Sequence, residues 1–182
     1  MIQFIHKLHA LRVLKSSPVL DKRTVGILAR RVEEIRTEGG KFLVAIAGGP
    51  GCGKSTLARH VKKQGLLTRP PEEFFVIDDL RGPEGERYSK RQVRTVIDTV
   101  ADKTVLLFDY RAAEYVKNAD LVIILAVDED RRIRNLKNRS HRGYRKYRGR
   151  MFSVSPIPLR LKSEVYICRE PELLKRTEEE NV

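Results

Sequence analysis

The chain has 182 residues with 37 Lys and Arg against 24 Asp and Glu, a net charge of +13, two cysteines and 41% hydrophobic residues. That length suits one self-sufficient core, two cysteines make no disulfide framework, and no apolar stretch approaches the length of a membrane span. A disulfide-stapled scaffold and a membrane-spanning protein are therefore set aside in favour of an unprocessed, soluble, cytoplasmic protein whose charge suits anionic partners.

The first residues, MIQFIHKLHA, mix His and Lys into an apolar pattern. They fit an amphipathic helix over 1–15 that packs on the core, and lack the h-region of a signal peptide. Residues 22–37 carry Val25, Leu28, Ala29, Val32 and Ile35 at a 3.6-residue period, with Asp21 as N-cap and Gly39-Gly40 as stop. Residues 1–40 thus read as an N-terminal helical extension to a domain over 41–182.

Next comes an apolar strand, 41–47 (KFLVAIA), then Gly48-Gly49-Pro50-Gly51-Cys52-Gly53-Lys54-Ser55, then a helix over 54–64. Strand, glycine-rich loop and helix in this order are the context of the Walker A motif. The glycines let the backbone approach phosphates closely, and successive N–H groups at a helix N-terminus form an anion nest. Gly48, Gly49, Pro50, Gly51, Cys52, Gly53, Lys54, Ser55 and Thr56 are the expected nucleotide contacts. Lys54 would reach the β and γ phosphates and Ser55 would hold Mg²⁺, so ATP and Mg²⁺ are the expected cofactors.

The chain then alternates strand 73–78, helix 89–100, strand 104–109, a short helix 111–117, strand 120–127, a basic helix, strand 163–168 and a terminal helix near 170–180. Continuous apolar strands separated by helices predict an α/β fold with a five-stranded parallel sheet covered on both faces, the three-layer P-loop NTPase arrangement. No internal repeat is present. Ligands of such sheets gather at the carboxyl ends of the strands. There the chain places Asp78-Asp79-Leu80-Arg81 after the second strand and Asp109 after the third. One of the two aspartates would accept the proton of an attacking hydroxyl, and Arg81 would steady the acceptor or a phosphate. Asp109, closing an apolar strand, fits a Walker B carboxylate that orients the metal. Asp128 and Asp130 fit capping roles at the next helix. Gly82-Pro83-Glu84-Gly85 reads as a loop, and Glu86, Arg87 and Tyr88 stand open between acceptor contact and surface.

Between Arg131 and Arg150 stand ten basic residues and no acid, with Gly143, Tyr144, Tyr147 and Gly149 among them. So dense a run suits a phosphate-closing lid or a nucleic-acid contact in which the tyrosines stack on bases. In the lid reading Arg134 and Arg139, then Arg142, would stabilise charge on the transferred group.

These residues resemble the small P-loop kinases, in particular the uridine kinase-like enzymes and the phage-type polynucleotide kinases with their zeta-toxin relatives, over about residues 41–150. The resemblance rests on the Walker A run, the Asp78-Asp79 doublet with Arg81, Asp109, the segment from Val127-Asp128 to Arg139, and the Arg134-Asn135 pair. It implies Asp78 as general base, Arg81 on the acceptor side and the lid arginines on ATP phosphates; Asp79 is expected with Arg81 as a substrate residue. The uridine kinase pattern of Glu then Gly after the third strand is here Asp109-Tyr110-Arg111. Other P-loop classes fit less well: Lys117-Asn118-Ala119-Asp120 reverses the GTPase order, and Asp109-Tyr110 replaces the Asp-Glu of AAA-type ATPases. The expected activity is transfer of the ATP γ-phosphate to a hydroxyl of a nucleoside-, nucleotide- or sugar-like molecule. The alternatives are a polynucleotide 5′-hydroxyl kinase and a nucleotide-binding regulatory ATPase.

Overall fold

In a computed structural model of the protein, residues 17–37, 40–78, 80, 84, 86–116, 118–139, 144–145 and 163–175 are described. The sheet has five strands, all parallel, in the order β2-β3-β1-β4-β5. These are β1 (Phe42–Gly48), β2 (Phe74–Asp78), β3 (Thr104–Phe108), β4 (Leu121–Leu125) and β5 (Glu164–Cys168). The helices are α1 (Lys22–Thr37), α2 (Lys54–Gln64), α3 (Lys90–Thr99), α4 (Ala112–Tyr115) and α5 (Glu129–Arg139). Among the described residues no helix is long and apolar enough to cross a membrane.

The period-2 alternation of a strand decides which layer each core residue joins. Val44 and Ile46 of β1, Leu106 and Phe108 of β3 and Leu121, Ile123 and Leu125 of β4 pack with Leu28 and Val32 of α1 and Leu57, Ala58 and Val61 of α2. Ala45 and Ala47, Val105 and Leu107, and Val122 and Ile124 pack with Val93 and Ile97 of α3 and Ala112 and Ala113 of α4. Burial on both faces is why these strands read as unbroken apolar runs. The connection from β1 runs outward to the far edge, while those from β2 and β3 run the other way. Right-handed crossovers then put α2 on one face and α3 and α4 on the opposite one, as the two clusters show.

Local chemistry sets the helix starts. The Asp21 carboxylate accepts from the Thr24 N–H at 2.7 Å and from the Thr24 hydroxyl at 2.8 Å. The backbone bond chiefly, with the hydroxyl, holds the Asp21 carboxyl below its ordinary value. Ser89 and Gln92 form a capping box for α3, the Gln92 N–H donating to Ser89 Oγ at 3.3 Å and the Ser89 N–H to Gln92 Oε1 at 2.8 Å.

Element ends differ from expectation for local reasons. Strand β1 begins at Phe42 and runs on to Gly48, which pairs in register with Leu125. Strand β3 stops at Phe108: the Asp109 N–H makes the last bond across to β1, to the Ile46 carbonyl at 3.2 Å, and the chain then turns, with Asp109 Oδ1 accepting from the Arg111 N–H at 2.8 Å. Strand β4 is shorter than 120–127, and the helix expected over 111–117 is one turn, Ala112–Tyr115. In place of the start of the helix near 170–180 stands a 3₁₀ turn, Pro171–Leu174, held by Leu173 N–H to Glu170 O and Lys175 N–H to Glu172 O bonds, both 3.0 Å. The remainder of that helix and the helix expected over 1–15 lie outside the described residues.

The central position of β3 makes a direct test of the core. Leu106 is fully buried between β1 and β2, so Leu106→Ala should cost about 2–5 kcal/mol in urea unfolding. Val96→Ala, on the exposed side of α3, should change stability by only about 0.5 kcal/mol.

Candidate active site

The connections that lead away from each other on neighbouring strands are those of β1 and β4, and the crevice at their carboxyl ends is the binding position of an open parallel sheet. The glycine-rich loop 48–55 follows β1 there, and α5 follows β4. Positive φ at Gly51 (+89°) and Gly53 (+92°), with Cys52 between them in ordinary conformation, is the alternation that turns successive amides toward one side. Helix α2 then begins at Lys54, adding its unpaired first-turn N–H groups to the same concavity.

The loop is wedged between its neighbours. A Cβ at Gly48 would come within 2.8 Å of the Leu125 carbonyl oxygen, and one at Gly51 within 2.8 Å of the Arg132 carbonyl oxygen and 3.0 Å of Leu136 Cγ. At Gly53 nothing lies closer than Pro171, at 3.9 Å. Helix α5 therefore rests on the loop itself, and Asn135 Nδ2 donates to the Gly51 carbonyl at 2.8 Å. Its N-terminus is capped by Asp128, whose Oδ1 accepts from the Arg131 N–H at 2.7 Å, fulfilling the capping expectation for that residue.

The charged groups fall into three sets. Lys54 folds back over the loop, with Nζ donating to the carbonyls of Gly48 at 2.6 Å and Gly49 at 3.0 Å. Burial pushes its ammonium below the ordinary lysine value, against the pull of Cys52, Asp109 and Asp78, and Arg139 adds to the depression. Asp78 and Asp109 from the ends of β2 and β3, and Arg139 from the end of α5, thus all act electrostatically on Lys54. The Ser55 hydroxyl donates to Asp78 Oδ1 across 3.4 Å, joining the expected metal holder to the expected base. Thr56 lies exposed in the first turn of α2.

Asp109 belongs to a cluster that sequence reading left open. Its Oδ1 pairs with Arg87 Nη2, Arg87 Nε donates to the Tyr115 hydroxyl at 2.6 Å, and the guanidinium lies 4.9 Å from the Tyr110 ring centroid and 5.5 Å from that of Tyr115. Arg87 follows β2 in the chain, so its presence over the end of β3 becomes visible only once those strands are known to be neighbours.

Of the basic run, Arg131 is paired with Glu172, and Arg132 is buried with Nε and Nη2 on Glu129. Its Nη1 has no hydrogen-bond partner among the described residues. The Arg131 pair ties α5 to the Pro171–Leu174 turn and the Arg132 pair lies within α5 itself, whereas Arg134 and Arg139 are exposed. Asp79, Arg81 and Arg142, with most of 140–150, lie outside the described residues. Lys137 Nζ stands 5.3 Å from the Tyr144 ring centroid, so that ring already has a cation beside it. Among the described residues no group of three or more His, Cys, Asp or Glu is placed to hold a metal ion. No protein-family model matches the chain, and no curated protein matches it.

Two expectations follow from this packing. Ala at Gly51 or Gly53 must hold a positive φ, costing about 1–2 kcal/mol at either position. At Gly51 the crowding against α5 should add about 1–3 kcal/mol, so Gly51→Ala should melt well below Gly53→Ala. The lowered Lys54 value means that the unfolded chain binds more protons between that value and the ordinary 10.5. Stability of the nucleotide-free protein from this group should therefore rise with pH across that window. Lys54→Met should flatten the slope, read as the difference between the two melting-temperature profiles.

Proposed function

We propose that the protein is an ATP-dependent kinase of the P-loop NTPase fold that transfers the γ-phosphate to a hydroxyl of a nucleoside-, nucleotide- or sugar-like small molecule. The observation that carries this reading is the Ser55 to Asp78 hydrogen bond, which joins the end of the glycine-rich loop to a carboxylate at the end of β2, two strands away from β1. A motor or switch needs the triphosphate held; a kinase needs in addition a base beside it.

The residues fit a hard divalent cation carried in with the nucleotide. The Ser55 hydroxyl stands in the first turn of α2, and the Asp109 carboxylate follows β3 at the same edge of the sheet. Mg²⁺ bound there would neutralise phosphate charge. The chain's own groups supply the rest. The loop amides cradle the phosphates, and Lys54 leaves the Gly48 and Gly49 carbonyls for phosphate oxygens, which favour its charged form. Asp78 takes the proton of the acceptor hydroxyl as the new oxygen–phosphorus bond forms and the bond to the β-phosphate oxygen breaks, releasing ADP. Arg134 and Arg139, on the exposed side of the helix that seals the loop, supply charge to the transferred group.

Asp78→Asn should lower transfer by about 10²–10⁴-fold while ATP still binds. The measurement is labelled-ATP transfer over nucleosides, sugars, nucleotides and 5′-hydroxyl oligonucleotides, beside equilibrium ATP binding. Labelling of oligonucleotides alone, with binding that weakens steeply as salt rises, would move the assignment to a polynucleotide kinase. A wild-type protein that binds ATP and labels none of these acceptors is not a kinase.

A further inference from the structure

The Asp109 carboxylate already has a cation. Arg87 Nη2 pairs with its Oδ1, the same oxygen that accepts the Arg111 N–H. This pair is asymmetrically exposed, the Asp109 side chain being 13% and that of Arg87 33% accessible. The carboxylate is sheltered at the end of β3, and the arginine reaches it from outside. Arg87 is also held independently of Asp109, because Nε is bonded to the Tyr115 hydroxyl and the guanidinium lies beside the rings of Tyr110 and Tyr115. Loss of the carboxylate would leave the guanidinium on this aromatic mount, charged and short of one anion.

We infer that Arg87 is the acceptor-anion site of this enzyme, kept on Asp109 until a metal–nucleotide complex takes that carboxylate. The inference rests on the kinase reading and narrows its acceptor to a hydroxyl compound that carries a phosphate. Two cations cannot share one small carboxylate without loss, so metal loading and the Arg87 pair compete for Asp109. The nucleotide enters beside β1 and β4, where the loop and α5 lie. Arg87 reaches the carboxylate that follows β3, and β3 lies between β1, which leads into the loop, and β2, which ends at Asp78, so an acceptor hydroxyl that meets its base comes to the adjoining strand end. A guanidinium forks naturally onto phosphate, and Tyr110, itself 36% exposed, gives an acceptor ring a surface to lie against. Arg87 is thus a positioning group for the metal carboxylate before loading and a binding group for the acceptor afterwards. The nucleotide should accordingly bind first.

The test uses the full chain as wild type, Arg87→Gln and Arg87→Lys, each checked for an unchanged melting transition. Mn²⁺ serves as the metal probe, titrated in the presence of saturating ADP and followed by water-proton relaxation. Arg87→Gln should bind Mn²⁺ about 2- to 5-fold more tightly than wild type, because its competitor is gone, and Arg87→Lys should stay within about twofold. An affinity for Arg87→Gln that is unchanged or weaker overturns the exchange, since a merely structural arginine would damage the metal site. In the second arm, acceptor pairs differing only by a phosphate are compared by kcat/KM. Wild type should favour the phosphorylated member by about 10-fold or more, and Arg87→Gln should lose that preference. A preference that survives Arg87→Gln assigns the anion to another group and overturns the acceptor half. If wild type binds Mn²⁺ and ADP but phosphorylates neither member of any pair, the kinase reading and the acceptor half fall together, while the metal titration still decides the exchange.

Discussion

The absence of a side chain at Gly51 is the constraint on which the site depends. With a methyl group there, the Arg132 carbonyl and the Leu136 side chain of α5 would have to lift off the loop, and the Asn135 bond to the Gly51 carbonyl would go with them. At Gly48 the same economy of volume brings the end of β1 against the Leu125 carbonyl, so the loop departs from the sheet directly beside β4. Two close approaches thus fix the loop between a strand end and a helix. The concavity of amides is built before any ligand arrives, which spares the cost of ordering it at the moment of binding.

Around that frame, charge is balanced in pairs. Lys54 is satisfied by loop carbonyls, Ser55 by Asp78, and Asp109 by Arg87. Each pair joins a group expected to meet the nucleotide or its metal to a neighbour able to hold it meanwhile. The pairs reach across three strand ends, those of β1, β2 and β3. The parallel sheet is what allows this, since every strand delivers its last residue to the same edge. The helix after β4 adds positive charge from above, tied to the Pro171–Leu174 turn through Arg131, while Arg134 and Arg139 are exposed at its surface.

Much of this was legible in the residues because it is local. The loop, the start of α2 at Lys54 and the Asp21 cap depend on a few adjacent positions, and the apolar runs identified all five strands. Strand ends were less legible because a ladder stops where its neighbour stops: Gly48 stays in the sheet because Leu125 is opposite, and Asp109 leaves it to bond Arg111. The site partners missed by sequence are those set by strand order. Arg87 lies 22 residues from Asp109, and Asn135 lies 84 from Gly51. Neither spacing carries a periodicity, and an arginine before a helix has the same composition whether it faces water or an aspartate. Asn135 was visible only as half of the Arg134-Asn135 pair, without a partner to explain it.

The 3₁₀ turn Pro171–Leu174 gives the far end of the chain a place in the same machinery. Its Pro171 ring lies about a van der Waals contact from where a Gly53 Cβ would be, and its Glu172 is bound to Arg131 at the root of α5. Leu174 is fully buried in the core shared by α1 and α2. One short turn is therefore a keystone touching three members at once: the floor of the loop, the hinge end of the helix above it and the hydrophobic interior. A swing of α5 about its first turn would be felt by this keystone before any residue at the helix tip had travelled far, and the core behind Leu174 would resist it. The end of α5 nearest β4 is thereby tied to the turn and through it to the core, and that tie lies at the end opposite Arg139.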